Sequence, residues 1–93
     1  MYYLITYDIS NDKKRTKLSE LLDKYGVRVN YSVYECELNQ TKLDKLLYEI
    51  KLNKLIDKKY DSLRFYHLCQ NCLPKCFELA NKVDPFESEE LFV

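Results

Sequence analysis

The chain has little of what interrupts regular structure. Its 93 residues include one glycine and two prolines, which excludes a loop-rich or low-complexity architecture and predicts continuous helices and strands. No apolar stretch approaches the roughly 20 residues of a membrane span, and no signal-peptide pattern opens the chain. The expectation is a cytoplasmic protein with no membrane association. Without a secretion signal, the four cysteines are not expected to form a disulfide framework. Net charge is missing too: fifteen bases balance fifteen acids, so a uniformly basic coat for nucleic acid is excluded. Tryptophan is absent, and the aromatic content is carried by nine tyrosines and four phenylalanines.

What is present fits one small soluble domain spanning residues 1–93, with 46% hydrophobic and 32% charged residues. A core of this size is modest, so association with a second copy would help it. The charge is unevenly placed. Four of the acids (Asp84, Glu87, Glu89 and Glu90) fall in residues 83–93 with no base, which leaves fifteen bases against eleven acids elsewhere. That pattern reads either as a solvated acidic tail or as a basic body able to meet a phosphate backbone through a local patch. The tyrosines can stack on bases, but they also fill cores and interfaces that keep one end wet.

Apolar periodicity orders the chain. Residues 2–8 are a short apolar and aromatic run, consistent with a central strand. Ser10 or Asn11 caps a helix whose Leu18, Leu21, Leu22 and Tyr25 form one stripe. Gly26 is expected to end it in a left-handed C′ position. Between residues 27 and 38 the alternation changes phase: Val27, Val29, Tyr31 and Val33 are apolar at odd positions, Tyr34, Cys36 and Leu38 at even ones. One straight strand cannot hold both sets on one face, so two short strands with a bulge or turn near Asn30–Val33 are expected. Asn39 or Thr41 then caps a second helix carrying Leu43, Leu46, Leu47 and Ile50, extended by Leu55 and Ile56. Leu63–Leu68 is a further strand, Cys69–Lys82 a loop with a short helix, and Leu91–Val93 an apolar patch with strand character. The order predicts an α+β, ferredoxin-like βαββαβ fold with an extra C-terminal segment and one open sheet face.

Asp8 closes the first strand, and Lys13, Lys14, Arg15 and Lys17 follow at a helix start, where bases oppose the macrodipole. An acid beside positive charge suits phosphate chemistry and a hard cation; equally, Asp8 can cap its own turn. Arg28 reads as an outward strand residue or a phosphate contact. Arg64 reads in the same two ways, or as the partner of Glu35 or Glu37 on a neighbouring strand. His67, Cys69, Cys72 and Cys76 are zinc-type ligands at H-x-C-x₂-C-x₃-C spacing. His67 and Cys69 have little freedom to converge on a strand, and buried free cysteines are the plainer account. Near Asp8 in sequence there is no histidine or second acid to act as general base.

The motif set Tyr7-Asp8-Ile-Ser, then Arg15, then Tyr25-Gly-Val-Arg28-Val-Asn-Tyr-Ser32-Val-Tyr34-Glu-Cys, then Asp61-Ser-Leu-Arg64-Phe-Tyr resembles the CRISPR-associated Cas-two family from the first strand to about Cys76. The resemblance implies a ferredoxin-like homodimer that works with the Cas-one integrase in spacer acquisition. It also implies a metal-dependent endonuclease acting on single-stranded RNA or double-stranded DNA. It implies that Asp8 is the metal ligand and that Tyr7, Arg15, Arg28, Ser32 and Tyr34 complete the site; the last is often Phe in the family. Magnesium keeps several waters and typically takes one or two carboxylates, so a single Asp8 is half a site and a two-fold axis would bring two around one shared ion. A non-catalytic dimeric adaptor that bridges integrase subunits on duplex DNA is the alternative. Leu91–Val93 is expected to cover an exposed edge, with a swap onto the partner's sheet favoured.

Overall fold

Residues 1–80 and 82–87 are described by the computed structural model. The elements run β1 (Tyr2–Asp8), α1 (Asp12–Leu22), β2 (Gly26–Asn30), β3 (Val33–Glu37), α2 (Gln40–Leu52) and β4 (Ser62–Leu68), followed by a single 3-10 turn over Leu73–Lys75. The four strands form one sheet in the order β2-β3-β1-β4. Every neighbouring pair is antiparallel. This is the ferredoxin-like topology, with β1 central.

The helices begin where short polar side chains allow. Asn11 accepts the Lys14 N–H at 3.0 Å and Asn39 accepts the Lys42 N–H at 2.8 Å, so each cap satisfies a donor that has no partner inside its helix. The first helix buries Leu18, Leu21 and Leu22, and the second buries Leu46 and Ile50. They meet one sheet face, formed by Ile5, Tyr7, Tyr34 and Cys36, in a single core with Ile9 and Leu38. Tyr25, expected in the first helix's stripe, lies in the turn beyond it, because the helix ends at Leu22, and it reaches α2 by donating its hydroxyl to Glu49 at 3.0 Å. Leu55 reaches the core from beyond the end of α2, not from within it.

The phase change resolves as expected. The even-numbered set, Tyr34 and Cys36 with Leu38, faces the helices and is buried. A register shift between Arg28 and Asn30, then a turn at Tyr31–Ser32, absorbs the extra residue. Gly26 differs from expectation. It has no positive φ and does not cap the helix, which ends at Asp23. It opens β2 opposite Cys36, where a Cβ would lie 2.3 Å from both Cys36 Sγ and the Glu35 carbonyl oxygen. Close approach, not backbone conformation, demands glycine there.

The face away from the helices is not wholly open. Phe86 lies against it, 5% exposed, with its ring edge-on to Tyr2 at 5.8 Å. Its N–H donates to the Glu35 carboxylate at 3.0 Å, and its φ of 61° is a left-handed conformation rare for a side chain of this size. Burial of Glu35 raises its pKa, and the Phe86 N–H only partly offsets the shift. The Leu91–Val93 strand expected from the sequence lies outside the described residues.

Gly26→Ala is expected to cost about 1–3 kcal/mol, because the added methyl overpacks the β2–β3 ladder against backbone. Urea denaturation would measure it; an unchanged midpoint would refute the close-approach account.

Candidate functional site

Asp8 is the last residue of β1 and is exposed. Strict alternation puts Ile5 and Tyr7 toward the helices, so Asp8 points to the opposite face. Across the ladder it sits opposite Ser62. The neighbouring Asp61 does a different job. Its Oδ1 accepts the Ser10 N–H at 3.1 Å and the Ser10 hydroxyl at 3.2 Å, while its Oδ2 accepts the Asp57 N–H at 2.9 Å. One carboxylate thus ties the β1–α1 turn to the α2–β4 loop beside Asp8. Asp61 is engaged by backbone and hydroxyl donors, and Asp8 is the carboxylate left facing solvent.

The basic residues are held by the main chain. Arg15 donates through Nη1 to the Ile9 carbonyl at 3.0 Å and pairs with Asp12 through Nη2. Arg28 donates through Nε and Nη2 to the Tyr31 carbonyl at 3.1 and 2.8 Å. The Tyr7 hydroxyl donates to that same oxygen at 3.4 Å. The Tyr31–Ser32 turn is fixed from both sides, and Arg15, Arg28, Ser32, Ser19 and Glu20 line one depression of about 310 Å³. Three of the residues expected from the sequence are therefore brought together: Arg15, Arg28 and Ser32. Asp8 is not part of this depression's lining.

Tyr7 and Tyr34 lie elsewhere. Both are buried, with their rings stacked at 6.3 Å. The Tyr34 hydroxyl donates to Asp23 at 2.7 Å and lies 2.8 Å from the Ser19 hydroxyl. Burial, with the Asp23 carboxylate beside it, pushes this phenol up to about 12, so it stays protonated at neutral pH. In this arrangement neither ring is free to receive a base; both brace the sheet behind the turn. Arg64 does not pair with Glu35 or Glu37, since β1 lies between their strands. Its Nη1 lies 3.2 Å from the Tyr66 hydroxyl instead.

The histidine and cysteines do not form a zinc cage. Among the described residues no three His, Cys, Asp or Glu side chains are placed to hold a metal. The His67 ring packs on Tyr3 at 5.1 Å. Cys36 is a buried free thiol, whereas Cys69 and Cys72 are exposed, because the chain leaves the sheet at Leu68.

The family profile described as "CRISPR associated protein Cas2" matches residues 1–76. The chain belongs to the Cas2 family. It is 40% identical over 94 residues to "CRISPR-associated endoribonuclease Cas2 1" of Chloroflexus aurantiacus, covering 100% of this chain and 99% of that protein. Among solved structures, Streptococcus pyogenes Cas2 at pH 6.5 superposes with a TM-score of 0.70 at 32% identity, over 85% of this chain and 99% of that one. A chain of a partial Cas6-RT-Cas1–Cas2 complex also gives a TM-score of 0.70 at 32% identity, covering 94% of this chain and 97% of its own.

Within this Cas2 fold, Asp61 fastens the corner that carries Asp8, a role that its place in the motif set did not reveal. Asp61 sits 51 residues from Ser10, and the local signal is an aspartate in a turn, which is common. Its acceptance of the Asp57 N–H, and then of the Ser10 N–H and hydroxyl, lowers its pKa. The folded protein thus favours the ionised form. The stabilisation is complete above the unfolded value of about 3.9 and is lost as pH falls through the lower folded value. Asp61→Asn should therefore lower the thermal midpoint at neutral pH and flatten the acid limb of a stability profile below about pH 4. Parallel acid limbs in the two proteins would contradict this role.

Proposed function

We propose that the protein is a metal-dependent endonuclease of CRISPR adaptation, working as a homodimer beside a Cas1 integrase. The observation that carries this reading is Asp8: a solvent-facing carboxylate at the end of the central strand, at the turn that leads to a held guanidinium, Arg15. The integrase partnership rests on the named Cas1–Cas2 assembly that contains a similar chain. The nuclease reading rests on the endoribonuclease name of the Chloroflexus relative.

The residues present fit half of a magnesium site. Hard cations take carboxylate oxygens and keep waters. Asp8 offers one such carboxylate per protomer, and a second copy related by a two-fold axis would offer another. When bound, the ion supplies Lewis-acid polarisation of the phosphodiester and a more acidic water. The protein's own work is positional. Arg28 keeps its Nη1 donors for a phosphate oxygen while Nε and Nη2 stay on the Tyr31 carbonyl. Arg15 can meet a second oxygen by exchanging its Asp12 partner, a surface pair of small worth. The Ser32 hydroxyl lies in the same depression. Tyr7 and Tyr34 act behind the site, keeping the turn and its arginine in place.

A second reading draws on the same wiring. Arginines fixed on main-chain carbonyls form a rigid phosphate cradle that needs no ion, as a non-catalytic adaptor on duplex DNA would require. Asp8→Ala separates the two. Loss of an Asp8-held ion forfeits several kcal/mol of charge stabilisation, on the order of a hundredfold or more in rate. Metal-dependent cleavage of single-stranded RNA and of duplex DNA should fall by that factor while duplex affinity persists. Arg28→Ala should weaken duplex binding and reduce its salt dependence by roughly one counterion. Full cleavage by the Asp8 variant would end the catalytic reading; normal affinity in the Arg28 variant would end the cradle.

A further inference from the structure

The chain leaves β4 through a turn that the proposed function does not use. Cys72 donates its N–H to the Cys69 carbonyl at 3.0 Å, and this C-x₂-C turn brings the two Sγ atoms to 3.0 Å of each other. Both thiols are exposed. Of the remaining cysteines, one lies beside the pair and the other lies in the core. The Cys76 thiol faces the Cys72 carbonyl at 3.6 Å, and Cys36 is enclosed by the core, where burial pushes its thiol up to about 12.

The geometry distinguishes the chemistry available to the pair. Two thiolates sharing a tetrahedral zinc ion, with Zn–S near 2.3 Å, sit about 3.8 Å apart. The observed pair is closer than that, in direct S–H···S contact. Nor is a third ligand at hand, since the His67 ring is stacked on Tyr3 and no metal-competent cluster forms among the described residues. The pair is asymmetric. The Cys72 thiol, joined by backbone N–H groups of the turn, stabilises a thiolate on Cys69 and lowers its pKa, while the same contact raises that of Cys72. A lowered, solvent-exposed thiol beside a second one is the arrangement of an attacking and a resolving cysteine.

We propose that Cys69 and Cys72 form a redox-active dithiol that closes to an intramolecular disulfide by exchange with a low-molecular-weight disulfide. Cys69, as thiolate, attacks one sulfur of the small disulfide. That S–S bond breaks, one thiolate leaves and takes up a proton, and a mixed disulfide forms at Cys69. The Cys72 thiolate then attacks Cys69 Sγ and expels the second small thiol. The two cysteines are oxidised by two electrons, and one small disulfide is reduced to two thiols. In a reducing compartment the resting state is the dithiol. The closed form would fix the turn from which the chain departs toward Phe86 and its anchor on Glu35.

The test uses the full-length chain, reduced and kept with a chelator, then equilibrated in glutathione buffers of increasing oxidised fraction. Free thiols are trapped by alkylation and located by intact mass and peptide mapping. Wild type should lose two of its four thiols and the mass of two hydrogens, with Cys69 linked to Cys72 within one chain. Cys76→Ser should close in the same way. Cys72→Ser should instead retain glutathione on Cys69. Four alkylated thiols at a poise that oxidises a control C-x₂-C peptide would overturn the proposal. So would a link between chains or to Cys76, or zinc that co-purifies with the protein and blocks oxidation until chelated. The wild-type map stands alone should a serine variant fold poorly.

Discussion

Strand β1 is hydrogen-bonded along both edges, to β3 on one side and β4 on the other, and the other features of the molecule are referred to it. Its alternation sends Ile5 and Tyr7 into the helix layer. The same alternation sends Asp8 the other way, at the point where the strand runs out. A shift of one residue in either ladder would bury the carboxylate and expose the aromatic ring, so the register that builds the core also places the acid. Burial of the apolar set makes the register costly to change, and Asp8 owes its position to the buried side chains that precede it.

The basic groups are organised by a different device. The two guanidinium groups that line the depression are each fastened to a main-chain carbonyl, Arg15 to Ile9 and Arg28 to Tyr31. The register shifts between Arg28 and Asn30, just before the turn, and the Tyr7 hydroxyl reaches the same carbonyl from the core side. Charged groups pre-set in this way lose little freedom when a phosphate arrives. The rigidity suits a nuclease, where charge must be aimed, and a clamp, where spacing matters, which is why the geometry of the arginines alone serves both readings.

Much of this was legible in the sequence because it is local. The caps Asn11 and Asn39, the buried helix faces of Leu18, Leu21 and Leu22 and of Leu46 and Ile50, and the phase break before Tyr34 all depend on neighbours within one or two turns; Leu47, expected on the second face, is exposed. What escaped depends on contacts across the sheet. Gly26 looks like a helix stop until its cross-strand neighbour, Cys36, is known. Tyr34 reads as a site aromatic because its motif places it near Arg28 and Ser32, yet its side chain alternates inward, toward Ser19 and Asp23. The pairing proposed for Arg64 failed because strand order, not sequence distance, decides which charges meet. The cysteine spacing was visible, but only the departure of the chain from the sheet reveals that two of the thiols are exposed.

The Asp61 bridge also bears on the order in which the molecule assembles. Its partners in the β1–α1 turn are 51 residues away, whereas the β2–β3 hairpin closes over a handful. Loop-closure entropy therefore favours early formation of the hairpin and late arrival of β4, with the bridge closing only after β4 has docked. The corner that carries Asp8 would be among the last regions to become native and among the first to loosen in sub-global opening. Amide exchange at Ser10, whose N–H is held by that carboxylate from the other side of the corner, would then report on the detachment of β4.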